Sequence, residues 1–189
     1  MNKKVKSNYE QLGQYLGLRF DEEQEVLHGQ KDGFELIVGP NEVNGKVYYM
    51  LNICLGADNQ GRTLTKDEIK EFVKAHKTVS GLVNEGHTVT MVLKSYPNQE
   101  KLRANAQEAI QELTAFLRGK GYVPCCQYCG RETETEGYLV SGNHIGLCEE
   151  CAASLAQNIT LAQNQENEKK ENMIGGIVGA LVGSLLGVA

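Results

Sequence analysis

The sequence predicts an α+β protein: an antiparallel sheet with helices on one face, then a small four-cysteine module and an apolar, glycine-rich helix. Three observations carry that expectation. Apolar residues alternate with period two in several runs between residues 25 and 95, and recur at helical spacing in three segments before, among and after those runs. Four cysteines fall in two matched pairs between residues 126 and 151. The last stretch, residues 173–189, has no charged side chain.

Residues 8–20 read as a short helix, with Tyr9, Leu12 and Leu16 on one face and Gly17 as its stop. Runs 25–30 and 34–38 flank Lys31-Asp32-Gly33, a hairpin turn. Residues 47–55 form the clearest strand, because Val47, Tyr49, Leu51, Ile53 and Leu55 alternate on one side. Thr65 then precedes Lys66-Asp67-Glu68, the capping-box pattern of a helix start, and Ile69, Phe72, Val73 and His76 share a face of that helix. Two further strands, 78–84 and 87–95, meet at Glu85-Gly86. A longer helix runs from about Asn98 to Arg118 with Leu102, Ala106, Ala109, Ile110, Leu113 and Leu117 as its apolar stripe. The resulting order, α-β-β-β-α-β-β-α, suits an antiparallel sheet backed by helices.

Composition divides the chain at residue 122. Residues 1–122 carry 16 basic and 16 acidic side chains, whereas residues 123–173 carry three basic and eight acidic ones and hold the whole net charge of -5. The expected organisation is an α+β domain over 1–122, a cysteine module over 123–156, a polar linker over 157–172 and an apolar helix over 173–189. An acidic module argues against nucleic-acid binding, which calls for a Lys/Arg surface.

Cys126-x2-Cys129 and Cys148-x2-Cys151 stand 18 residues apart, within the spacing expected for zinc. Four thiolates suit Zn2+ because it is redox-inert and borderline soft, and four leave no open position for catalysis. A redox CxxC or an iron–sulfur site is the competing use of the same pairs. Gly130 follows the first pair, where a knuckle requires positive φ. Tyr138-Leu139-Val140 and His144-Ile145-Gly146-Leu147 flank Ser141-Gly142-Asn143, a hairpin signal, and the second pair opens into the helical composition Ala152-Ala153-Ser154-Leu155-Ala156. Knuckle, hairpin and ligand-bearing helix start together resemble the treble-clef and zinc-ribbon families over about 30 residues. Cys125 offers an alternative x3 register in place of Cys126, and the sequence leaves that choice open. Cys54 reads as a buried strand residue and His144 as a hairpin histidine near the surface. No secretory pattern is visible behind the lysines of the first residues, so a reducing compartment is expected.

In the tail, Gly175, Gly179, Gly183 and Gly187 recur every four residues and leave one helix face as bare backbone. In water each such glycine costs a helix about 1 kcal/mol relative to alanine. In a bilayer the same ridge lets helices approach closely, and it would also allow two copies of the chain to associate. The run rises about 26 Å, just short of a ~30 Å hydrocarbon core. Lys169 and Lys170 precede it, so residues 1–172 are expected on the cytoplasmic side. The pattern resembles bacterial membrane proteins that carry a cytosolic zinc-ribbon domain before spanning helices.

No phosphate loop, HExxH or nucleophile elbow is present. His28, His76 and His87 lack sequence-level partners, and Asp21, Glu22, Glu23 and Glu25 read as a solvated loop. The expected function is therefore a non-enzymatic interaction or sensing module with a protein partner, held by structural Zn2+ and anchored to a membrane through residues 173–189. The alternative is a soluble zinc-ribbon protein of the nucleic-acid-binding or transcription-associated kind.

Overall fold

A computed structural model describes residues 3–43, 46–94, 98–140 and 143–157. Met1–Glu149 forms one compact unit, and a second begins at Glu150, of which residues up to 157 are described as helical. Helix α1 (Lys3–Leu16) leads into β1 (Arg19–Asp21), β2 (Val26–Lys31), β3 (Phe34–Val43) and β4 (Lys46–Asp58). Helix α2 (Lys66–Ala75), strands β5 (Val79–Glu85) and β6 (Thr88–Leu93), and helix α3 (Gln99–Gly119) follow. Strand β7 (Val123–Pro124) and the hairpin β8 (Glu136–Val140) and β9 (Asn143–Leu147) complete the unit.

The large sheet has the order β1-β2-β3-β4-β6-β5 with antiparallel neighbours, and β7 pairs with the far end of β4. Alternation sends Leu27, Phe34, Leu36, Val38, Leu51, Ile53, Leu55 and Met91 to one face, where all are at most 1% exposed. There they join one cluster with Leu12 and Leu16 of α1, Phe72 of α2, and Ala106, Leu113 and Leu117 of α3. The residues between them in sequence, including His28 and Glu35, face the other way. The β8–β9 hairpin packs against β2 and β3, where Gly137 and Gly146 lie against His28 and Glu35.

Local chemistry explains the boundaries. Gly17 takes φ 68 and its N–H reaches the Gln14 carbonyl, so α1 stops there and releases the chain into β1. The helix expected over 8–20 is thus displaced: it begins at Lys3, and Arg19–Asp21 pairs with β2 instead. Thr65 and Glu68 make the reciprocal capping box at the start of α2. The Asn98 side chain accepts the Lys101 N–H at the start of α3. Asp32 and Gly33 both have positive φ, the requirement of a tight hairpin turn. That turn is tied to α3, because the Thr114 hydroxyl donates to Asp32 Oδ2 at 2.8 Å and Arg118 donates to the Asp32 carbonyl.

Residues 158–172 of the linker, the apolar segment and the glycine ridge of Gly175, Gly179, Gly183 and Gly187 lie outside the described residues. Among the described residues no helix is long and apolar enough to cross a membrane.

Candidate metal centre

The first cysteine pair is delivered by β7. Ala57 and Asp58 of β4 pair with Pro124 and Val123, and the Cys125 N–H continues the contact to the Gly56 carbonyl at 3.3 Å. Gly56 has no side chain to lose here, since a Cβ would run into the Cys125 carbonyl oxygen. An isolated glycine in a strand pattern is the signal for such a close approach. From Cys125 the chain turns sharply. Gly130 N–H bonds back to the Cys126 carbonyl at 2.8 Å, and Cys126 N–H bonds to the Arg131 carbonyl at 3.0 Å. Gly130 has φ 71, and a Cβ there would land in the His87 imidazole. His87 is held in turn by Asp58, with Nδ1 and Oδ1 3.1 Å apart.

The second pair follows the hairpin. Cys148 comes directly after β9, and Cys151 lies in the first turn of the helical residues 149–157. Gln127 connects the two halves: its N–H donates to the Gly146 carbonyl at 2.9 Å, its side-chain oxygen accepts the Gly146 N–H, and its amide donates to Thr88 Oγ1 at 3.1 Å. Sequence reading did not single out Gln127 or Asp58 and found no partner for His87, because the partners come from distant strands.

The Sγ atoms of Cys126, Cys129, Cys148 and Cys151 all lie within 4.8 Å of one another. Those of Cys129 and Cys148 are 3.9 Å apart. A disulfide requires about 2.05 Å. A tetrahedron with metal–sulfur bonds of ~2.3 Å has edges of about 3.8 Å. The spacing is therefore that of four thiolates around one ion, and these cysteines are positioned to bind a metal. Among the described residues they are the one group of His, Cys, Asp and Glu side chains whose ligand atoms converge in this way.

Adjacent thiols have opposite environments. Burial alone would push the Cys126 thiol up, but the backbone N–H groups of Cys129, Cys148 and Tyr128 converge on it and hold it at about 7. Burial pushes Cys125 up to about 12, with Asp58, Cys126 and Cys129 adding to the effect, and its Sγ lies 4.0 Å from the His87 carbonyl. The converging set includes Cys126 and leaves Cys125 out, which resolves the register that the sequence left open. Cys54 is half-buried beside Thr90 Oγ1 at 3.5 Å, away from the centre.

The histidines find partners through the fold. His76 pairs with Glu112 and packs on Phe72. His144 departs from the surface position expected of it: its side chain is 5% exposed and stacks on His28. The loop acid Asp21 likewise departs from a purely solvated role, since its Oδ2 meets His144 Nε2 at 2.9 Å. No protein family, curated protein or solved structure matches this chain.

Proposed function

We propose that the chain is a non-enzymatic interaction or sensing module whose cysteine hairpin is held by structural zinc at Cys126, Cys129, Cys148 and Cys151. The single observation that carries this reading is the convergence of four Sγ atoms within 4.8 Å. A four-sulfur set fills a tetrahedral ion completely, so the ion braces the fold and offers no position for a substrate. Small modules of this kind draw their folding energy from the metal, on the order of 10 kcal/mol or more. Zinc is favoured over iron–sulfur by the knuckle-and-helix arrangement of the two pairs and by the hairpin between them. The charge-free segment 173–189 supports attachment to a membrane, and Lys169 and Lys170 before it support a cytoplasmic side for residues 1–172.

Metal analysis of the purified chain tests the central claim. We expect one colourless zinc per chain, lost in a Cys126→Ser, Cys148→Ser double variant and retained in Cys125→Ser. Equal zinc in wild type and double variant would refute it, and a brown, iron-loaded protein would replace zinc with a cluster. Membrane attachment is tested separately by vesicle partitioning of the full chain against a chain ending at residue 172. Equal partitioning would remove the anchor from the reading and leave the metal site untouched.

A further inference from the structure

Away from the cysteines, the β8–β9 hairpin crosses β2 and β3 beside an acidic side chain. Glu35 of β3 is 5% exposed and is the one carboxylate among the buried described residues. An ionised carboxylate offers about four lone-pair positions, and burial is costly unless they are filled. Gly137 of β8 fills one of them with its backbone N–H. A Cβ on Gly137 would come within 3.0 Å of Glu35 Oε1, so the missing side chain lets the hairpin backbone approach this closely. His28 of β2 does not complete the shell. Its Nδ1 stands 3.9 Å from Glu35 Oε1, about 1 Å beyond hydrogen-bond reach. Burial pushes the Glu35 carboxyl up to about 7, against the pull of Arg19 and the Gly137 amide and with Glu136 adding to the rise. The carboxylate is thus short of positive partners within the chain.

Glu35 lines a cavity of about 410 Å³, within the size range of small-molecule sites. Arg19, His28, Gln30 and Glu136 are its other side chains, and three glycines complete the wall. No apolar side chain takes part, so the cavity suits a hydrophilic ligand. Strand register builds it: Arg19 of β1 stands opposite His28 of β2, and Gln30 of β2 opposite Glu35 of β3. Arg19 and Glu136 are exposed and belong to the mouth, whereas the buried Glu35 belongs to the floor. Arg19 is close enough to act on Glu35 through space, with no ion pair between them.

Those charges select the ligand. A simple anion would meet the carboxylates of Glu35 and Glu136, and a polyamine would meet the Arg19 guanidinium. A metal ion is unsuited, because these side chains do not converge as the four thiols do. A molecule that carries an ammonium and a carboxylate on neighbouring carbons satisfies both signs at once. We propose that this cavity is a binding site for a free α-amino acid with a small polar side chain, Glu35 holding the ammonium and Arg19 the carboxylate. The ammonium supplies charge-assisted hydrogen bonds to the buried carboxylate. The guanidinium fork at the mouth matches the planar carboxylate of the ligand. The polar wall offers nothing to an extended apolar side chain. This assignment gives a ligand class to the sensing reading of the chain and rests on that reading alone, not on the identity of the metal.

Amide chemical-shift mapping of the zinc-loaded full chain tests it. Glycine, L-serine and L-glutamine serve as probes at up to about 10 mM, where even a millimolar site is nearly filled. Saturable shifts are expected at the Gly29 and Gly137 amides with at least one of the three. Ethylamine and propionate carry one charge each and should bind at least about tenfold more weakly. Saturation with the amino acid should also lower the pH at which the Glu35 carboxyl titrates, read from its carbon-13 shift, because an ammonium partner favours the charged form. Arg19→Ala alters an exposed residue and should weaken binding by about tenfold, and Glu35→Gln by at least as much, with zinc content unchanged in both. No saturable shift with any probe would overturn the proposal. So would ethylamine or propionate binding as tightly as the amino acids, or undiminished binding in Arg19→Ala. Shifts confined to residues around the four cysteines would overturn it too, since they assign the response to chelation at the metal. A chain that lacks zinc and still gives the Gly29 and Gly137 response would support the cavity and refute the metal reading.

Discussion

Gly130 is held to glycine by two separate constraints. Its φ of 71 costs an L-residue about 1 kcal/mol or more, and the His87 ring occupies the space a Cβ would need. Gly130→Ala should therefore weaken metal binding by one to two orders of magnitude, on the order of 2 kcal/mol. Competition with a chromophoric chelator measures it. In a His87→Ala background the collision is gone and only the backbone strain remains, so the same substitution should cost roughly half as much. Equal costs in both backgrounds would show that the ring contact carries no energy. The need for glycine was visible from the knuckle spacing; the ring above it was not, because His87 arrives from the β5–β6 turn.

Among the elements, α2 has the most complete local specification. Thr65 accepts the Glu68 N–H while Glu68 accepts the Thr65 N–H at 2.9 Å. Thr65→Ala removes one arm and should lower stability by about 1 kcal/mol, read from the urea midpoint at constant slope. The Glu68 carboxyl is held at about 2, first by the Thr65 backbone N–H and then by Arg62. Because the folded value is depressed, this contribution is present above the unfolded value near 4.5 and disappears as pH falls from there toward 2. Stability of Glu68→Gln should accordingly vary less than wild type over that interval. A variant that tracks wild type throughout would show that the cap holds no ionised carboxylate. The four-residue motif announced this cap, since a capping box involves only neighbours in sequence.

At the scale of the molecule, the sheet–helix cluster and the cysteine centre rest on different forces. Phe34, Leu36, Ile53, Leu113 and Leu117 are buried without reference to any metal. The hairpin β8–β9 is a two-stranded ribbon, and such ribbons are marginal unless something else holds them. Removing the metal with a strong chelator should strip exchange protection from β8, β9 and residues 149–157, while β4 and α3 amides stay protected. Loss of protection across β4 and α3 as well would show that the core needs the ion. Met1–Glu149 is nonetheless one compact unit, with β7 paired to β4 and the hairpin seated on β2 and β3. The division of charge at residue 122 thus marks a change of composition inside that unit.

Period-two alternation, helical stripes, turn residues and cysteine spacing act over at most a few residues, and the sequence alone determined what depends on them. That covers nearly every element of the Met1–Glu149 unit, the face that α3 buries, the Thr65 cap and the four metal-positioned cysteines. Short strands such as Arg19–Asp21 and Val123–Pro124 escaped, because three or two residues carry no periodicity and exist only through their partners. Tertiary structure decided the rest. It chose Cys126 over Cys125, both of them buried, by turning one thiol toward three backbone amides and the other toward the His87 carbonyl. It also brought His28, Glu35, His144 and Asp21 from four strands into one contact. Charge and burial at such a junction depend on groups far apart in the chain, and no local pattern encodes them.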